Sequence, residues 1–159
     1  MTIVESIYNS IKGIIKLYTI TNSSGASVTL SSIGAGIIAI NVPDKDGVLN
    51  DVVLGYKNIT DYIYDGPCAG KTAGRYANRI ANGRLIVNNI EFALNTNCGP
   101  NSLHGGPEGF QNQNWESTIK DNKVHFTYLS KNMEENFPGN VTVSVIYEWK
   151  ENNTLTINL

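Results

Sequence analysis

Apolar and polar positions alternate in short stretches along this chain, and the stretches are divided by clusters of Gly, Asn and Asp. Residues 17–21, 27–31, 36–42, 51–55, 85–87, 90–94, 123–130, 141–150 and 154–159 are rich in Val, Ile, Thr, Tyr and Phe. Runs of this length and spacing predict antiparallel strands in an all-β sandwich or barrel. Asn88 and Asn89 sit between two alternating runs. Asparagine tolerates the positive φ of a tight turn, so residues 84–94 are expected to form a hairpin. Asp121-Asn122 and Asn152-Asn153 divide later runs in the same way and extend the pattern into a meander.

Helical signals are few. Ile3, Ile7, Ile11 and Ile14 stand close to helical spacing and predict a weakly helical start, with residues 1–16 as an amino-terminal extension and residues 17–159 as one domain. A single turn is expected around 59–64. No internal repeat and no Pro- or Ser-rich linker divides the chain. The last run alternates up to Leu159, which would leave an unpaired apolar edge, so the domain is expected to be truncated.

Composition narrows the function classes. A chain of 159 residues with 41% hydrophobic content can bury one ordinary core. Fourteen acidic and 12 basic residues are scattered evenly, giving a net charge of -2 and no footprint for nucleic acid or an anionic membrane. No run approaches the roughly 20 apolar residues of a membrane span. Cys68 and Cys98 are too few for a disulfide framework and too far apart in sequence for a zinc or redox motif, so both are expected to be reduced and no metal is expected. The amino terminus lacks a basic n-region and a continuous apolar run, and a cytoplasmic location is the simplest expectation. Asn22, Asn58, Asn140 and Asn152 fall in Asn-x-Ser/Thr patterns, a chance consequence of 21 asparagines.

The densest chemistry lies between residues 66 and 110, where apolar periodicity fades and glycines and polar residues accumulate. Gly74-Arg-Tyr-Ala-Asn-Arg-Ile-Ala-Asn-Gly83 and Asn101-Ser-Leu-His-Gly-Gly106 stand out. Arg and Asn offer several hydrogen bonds in fixed geometry, and a neutral imidazole both donates and accepts, which suits a polyhydroxylated ligand.

With Gly109-Phe110, Trp115 and Phe137-Pro-Gly139 following in order, these segments resemble the signature run of the aldose 1-epimerase family. The resemblance extends from about residue 17 to residue 159 and identifies the chain as the amino-terminal part of such a domain. It implies a galactose mutarotase-like supersandwich that binds an aldohexose in an open groove and needs no metal or organic cofactor. It also implies general acid-base ring opening: a carboxylate takes the anomeric proton, an imidazolium protonates the ring oxygen, and closure occurs on either face. By motif position, Asn78 and Arg79 match the family's sugar-contacting pair. His104 matches the first of its two active-site histidines, serving both binding and catalysis.

Plainer roles stand beside these. Arg79 could pair with an acidic residue, and His104 could fix its glycine-rich loop by bonding backbone. Arg75 reads as structural, Trp115 as core, His125 as structural or solvent-facing, and Glu134 and Glu135 as loop charge. The family's second histidine, sugar-binding aspartate and glutamate base would lie beyond Leu159. The isolated chain is then expected to have little or no activity, as a fragment, a remnant, or one half completed by a complementary carboxy-terminal partner. A non-catalytic carbohydrate-binding module is the alternative.

Overall fold

A computed structural model describes residues 1–159. Five strands form the first sheet in chain order: β1 (Thr2–Ser10), β2 (Gly13–Thr21), β3 (Ser27–Ser31), β4 (Gly36–Pro43) and β5 (Leu49–Asp51), every pair antiparallel. The expected helical start is instead β1, paired with β2 over its whole length from Thr2 opposite Thr21 to Ser10 opposite Gly13. A spacing of four is ambiguous, because residues i and i+4 share one face of a strand as well as one face of a helix. The β-branched residues and the partner offered by β2 decide for the strand. β5 also differs from the expected 51–55. Asp51 ends the ladder, its carboxylate accepting the backbone N–H of Ile40 and of Val53, both at 3.0 Å.

Between the two main sheets come the short pairs β6 (Arg79–Ile80) with β9 (Ser102–Leu103), and β7 (Arg84–Val87) with β8 (Ile90–Ala93). Asn88 and Asn89 close the β7–β8 hairpin with φ of 51° and 63°. The second sheet is the expected meander: β10 (Glu116–Lys120), β11 (Lys123–Ser130), β12 (Val141–Trp149) and β13 (Leu155–Asn158). Asp121 and Asn122, also at positive φ, turn β10 into β11. The one expected turn is a 3-10 segment at Ile59–Tyr62. No helix is long and apolar enough to cross a membrane.

The sheets pack face to face. Tyr18, Ile20, Val28 and Leu30 from the first sheet meet Val124, Phe126, Val145, Tyr147 and Trp149 from the second, all essentially inaccessible. Full burial of such side chains contributes about 1.5–3 kcal/mol each. Polar tips within this core are satisfied: the Tyr147 hydroxyl donates to Ala35 O at 2.7 Å, and the Trp149 indole N–H donates to Ala26 O at 3.2 Å. Trp115 is core, as expected, with its N–H donated to Phe110 O. His125 lies on the face of β11 opposite its buried neighbours Val124 and Phe126. Alternation along β2 turns Ile15 and Leu17 to the other side of the first sheet, where they form a smaller cluster with Ile33, Tyr62 and Ile63. That cluster seats the start of the segment that carries the polar motifs.

Candidate functional site

From Tyr62 the chain runs into a buried ion pair between Asp65 and Lys71, both side chains wholly inaccessible. The Lys71 ammonium also donates to Tyr62 O, and Asp65 also accepts the Ala69 N–H. A Cβ on Gly34 would lie under 3 Å from the Lys71 stem and from Gln111 O, so glycine there admits the lysine. Backbone bonds from Thr72 N to Gly34 O and from Ile37 N to Gly70 O, each 2.9 Å, fasten residues 70–72 to the first sheet.

Gly74 and Arg75 continue this anchorage. Phe110 N donates to Gly74 O at 3.1 Å, and a Cβ on Gly74 would strike the Phe110 ring. Arg75 spreads its guanidinium over the end of β11, donating to Ser130 Oγ, Ser130 O, Lys131 O and Pro138 O at 2.8–3.0 Å. Desolvation lowers its pKa, opposed by the nearby Glu134 carboxylate. The structural role expected for Arg75 therefore has a definite form.

Glu134 and Glu135 are more than loop charge. Glu134 accepts from the hydroxyls of Tyr128 and Ser130. Burial, then the bond to Glu134, pushes the Tyr128 phenol well above its ordinary range. Glu135 accepts the backbone N–H of Glu108 at 2.8 Å and lies against Gly106, where a Cβ would come within 2.5 Å of its carboxylate. Adjacent residues of an extended chain would point apart. Here Glu135 takes a positive φ, and both carboxylates turn inward.

Four residues past Arg75 the character changes. Arg79 pairs with Leu103 where β6 meets β9, and the register places Asn78 beside His104. Their contact is reciprocal: His104 N donates to Asn78 O at 3.0 Å, and Asn78 N donates to His104 Nδ1 at 3.0 Å. Both residues adopt left-handed φ, 68° and 52°. Because Nδ1 is the acceptor, the contact is made by the neutral ring with its hydrogen on Nε2. Arg79 donates to Asn78 Oδ1 at 3.1 Å and takes part in no ion pair. Asn78 and Arg79 are exposed. The three residues singled out from the motifs are thus contiguous, and His104 borders a cleft of about 280 Å³ between residues 64–68 and 103–112.

The model of the family described as aldose 1-epimerase matches residues 16–159. The chain belongs to the aldose 1-epimerase family. Galactose mutarotase of Bos taurus is 41% identical over 120 residues, which cover 76% of this chain and 35% of that protein. Aldose 1-epimerase of Streptococcus thermophilus is 34% identical over 149 residues, covering 91% of this chain and 43% of the relative. The fold agrees with a solved GalM/aldose epimerase homologue from C. elegans at a TM-score of 0.83 and 31% identity, across 97% of this chain and 45% of that one. This epimerase-family chain therefore spans less than half the length of these relatives.

The motifs point to Asn78, Arg79 and His104 but not to the residues that support them. Lys71 carried one visible signal, a charge set among small residues in Ala69-Gly-Lys-Thr-Ala-Gly74. Asp65, 6 residues upstream in an irregular segment, carried none. Asp65 is the one carboxylate among the residues that line the cleft, and it is committed to Lys71.

Proposed function

We propose that this chain contributes Asn78, Arg79 and His104 to a site that interconverts the α and β anomers of an aldohexose such as galactose or glucose. The observation that supports this reading best is the reciprocal lock between Asn78 and His104. It sets a neutral imidazole with its Nε2–H free beside an unpaired guanidinium. In this reading Arg79 and Asn78 hold sugar hydroxyls, and His104 donates a hydrogen bond from Nε2 to the ring oxygen, while an imidazolium from outside this chain gives that oxygen its proton as the bond to the anomeric carbon breaks. The base that takes the anomeric proton comes from a complementary carboxy-terminal part, together with the family's second histidine and sugar-binding aspartate.

One observation favours a second reading, a non-catalytic carbohydrate-binding module. Asp65 is held by Lys71, Glu134 by Tyr128 and Ser130, Glu108 by Lys12, and Glu135 through one oxygen by the Glu108 amide, so each of these carboxylates has a partner within the chain. Both readings expect galactose to shift the His104 ring resonance of the isolated chain and expect no acceleration of anomerisation by it. Supplying a carboxy-terminal half with the missing groups restores turnover under the first reading and leaves it absent under the second. A His104 resonance that ignores galactose at saturating concentration contradicts both.

A further inference from the structure

The cleft beside His104 contains a group that the preceding roles leave unused. Gln111 lies in the 3-10 turn Phe110–Asn112, is 2% exposed, and lines the cleft with His104. Its Oε1 is buried without a hydrogen-bond partner. Gly109 makes room for the amide, since a Cβ there would stand 2.8 Å from Nε2 and 2.9 Å from Oε1 of Gln111. Next to it Asn112 spends its amide N–H on Pro107 O at 2.8 Å, while its Oδ1 is also buried and unpartnered. Leaving a buried acceptor unmatched costs about 1–3 kcal/mol, so two of them in one cleft mark a place where hydrogen-bond donors are to be supplied from outside the chain.

From this arrangement we propose that Gln111 and Asn112 form a hydroxyl-binding subsite contiguous with His104, which takes one edge of a neutral polyhydroxylated ligand. Two carbonyl oxygens call for donors, and hydroxyl groups provide them. An anionic ligand does not fit, because the lysines beside the cleft, Lys71 and Lys12, are paired with Asp65 and Glu108. Tyr64, Leu103 and Pro107 complete the cleft with apolar surface suited to the C–H face of a sugar ring. The ion pair serves the subsite indirectly by fixing the opposite wall, residues 64–68. The inference rests on the sugar-binding reading of the site and adds to it the residues that recognise hydroxyls on the His104 side, away from Arg79.

The test is a titration of the isotopically labelled chain with galactose, following the Gln111 side-chain amide and the His104 ring together. Both signals are expected to move with one midpoint. Gln111→Leu is expected to raise that midpoint about five- to tenfold. Its thermal midpoint should stay level or rise, because removing an unpaired polar group from a buried place does not destabilise. Movement of His104 alone, with Gln111→Leu binding like the parent, overturns the subsite and leaves the sugar site standing. Silence from both groups overturns the two readings together. A lowered thermal midpoint in Gln111→Leu with an unshifted parent amide assigns Gln111 to structure and also overturns the proposal. Should Gln111→Leu fail to fold, the amide of the parent chain decides the question by itself.

Discussion

The two arginines of the Gly74–Gly83 motif share a residue type and a loop, yet the fold treats them in opposite ways. Arg75 is withdrawn from water and spends four donors on backbone carbonyls and one serine hydroxyl at the end of β11. Arg79 is exposed, leans on the side chain of Asn78, and meets no carboxylate. The difference divides the motif into an anchored end and an exposed one. Its entry is locked to the sandwich by Lys71, Gly74 and Arg75, and the following turn, with Asn78 and Arg79, is left exposed. Side chains that must hold a ligand geometry depend on neighbours whose own donors are fully used.

Variants that break the anchored end should have the largest effects. Asp65→Ala leaves the Lys71 ammonium buried and unpaired and is expected to lower the unfolding free energy by about 3–5 kcal/mol in urea titration. Replacing both partners by apolar residues, Asp65→Leu with Lys71→Met, should recover most of that loss. Arg75→Ala removes four hydrogen bonds and strands buried acceptors, for an expected loss of about 2–4 kcal/mol by the same measurement.

Alkali offers a milder test of the body to which the loop is tied. Burial pushes the Tyr147 phenol from 10.0 up to about 12, and its hydroxyl bonds Ala35 O next to the glycines that receive Lys71. A folded-state pKa above the unfolded value means that the neutral phenol favours folding. The contribution is complete below pH 10 and disappears as pH climbs from 10 through 12. The urea midpoint should therefore drop as pH rises from 10 through 12, and Tyr147→Phe should flatten that drop. Least of all, Arg79→Ala should change stability by no more than about 0.5 kcal/mol, as befits an exposed side chain without a structural partner.

How much of this was legible in the residues depended on the kind of signal each element carried. The β7–β8 hairpin and the β10–β13 meander announce themselves, because alternation and the Asn-Asn and Asp-Asn turns are local properties. β1 was read as helical since isoleucines four apart satisfy both periods, and only the pairing with β2 resolves them. Asn78, Arg79 and His104 stand out through ordered motifs. The plainer roles weighed for them divide: Arg79 has no acidic partner, whereas His104 does bond backbone through Nδ1 while leaving Nε2 free. Asp65, Gln111 and the inward turn of Glu134 and Glu135 escaped notice because they depend on contacts between distant segments and on backbone conformations that no short pattern encodes.

The central claim is that the free end of the motif binds sugar while the anchored end builds the fold, and one calorimetric experiment addresses it directly. Galactose is titrated into the parent chain and into Arg79→Ala at matched temperature, with thermal unfolding of both recorded alongside. Heat of binding in the parent, its loss or a tenfold weakening in Arg79→Ala, and coincident unfolding midpoints are expected. Equal affinity in the two proteins, or a binding loss that tracks a lowered midpoint, would contradict the division of labour between Arg75 and Arg79.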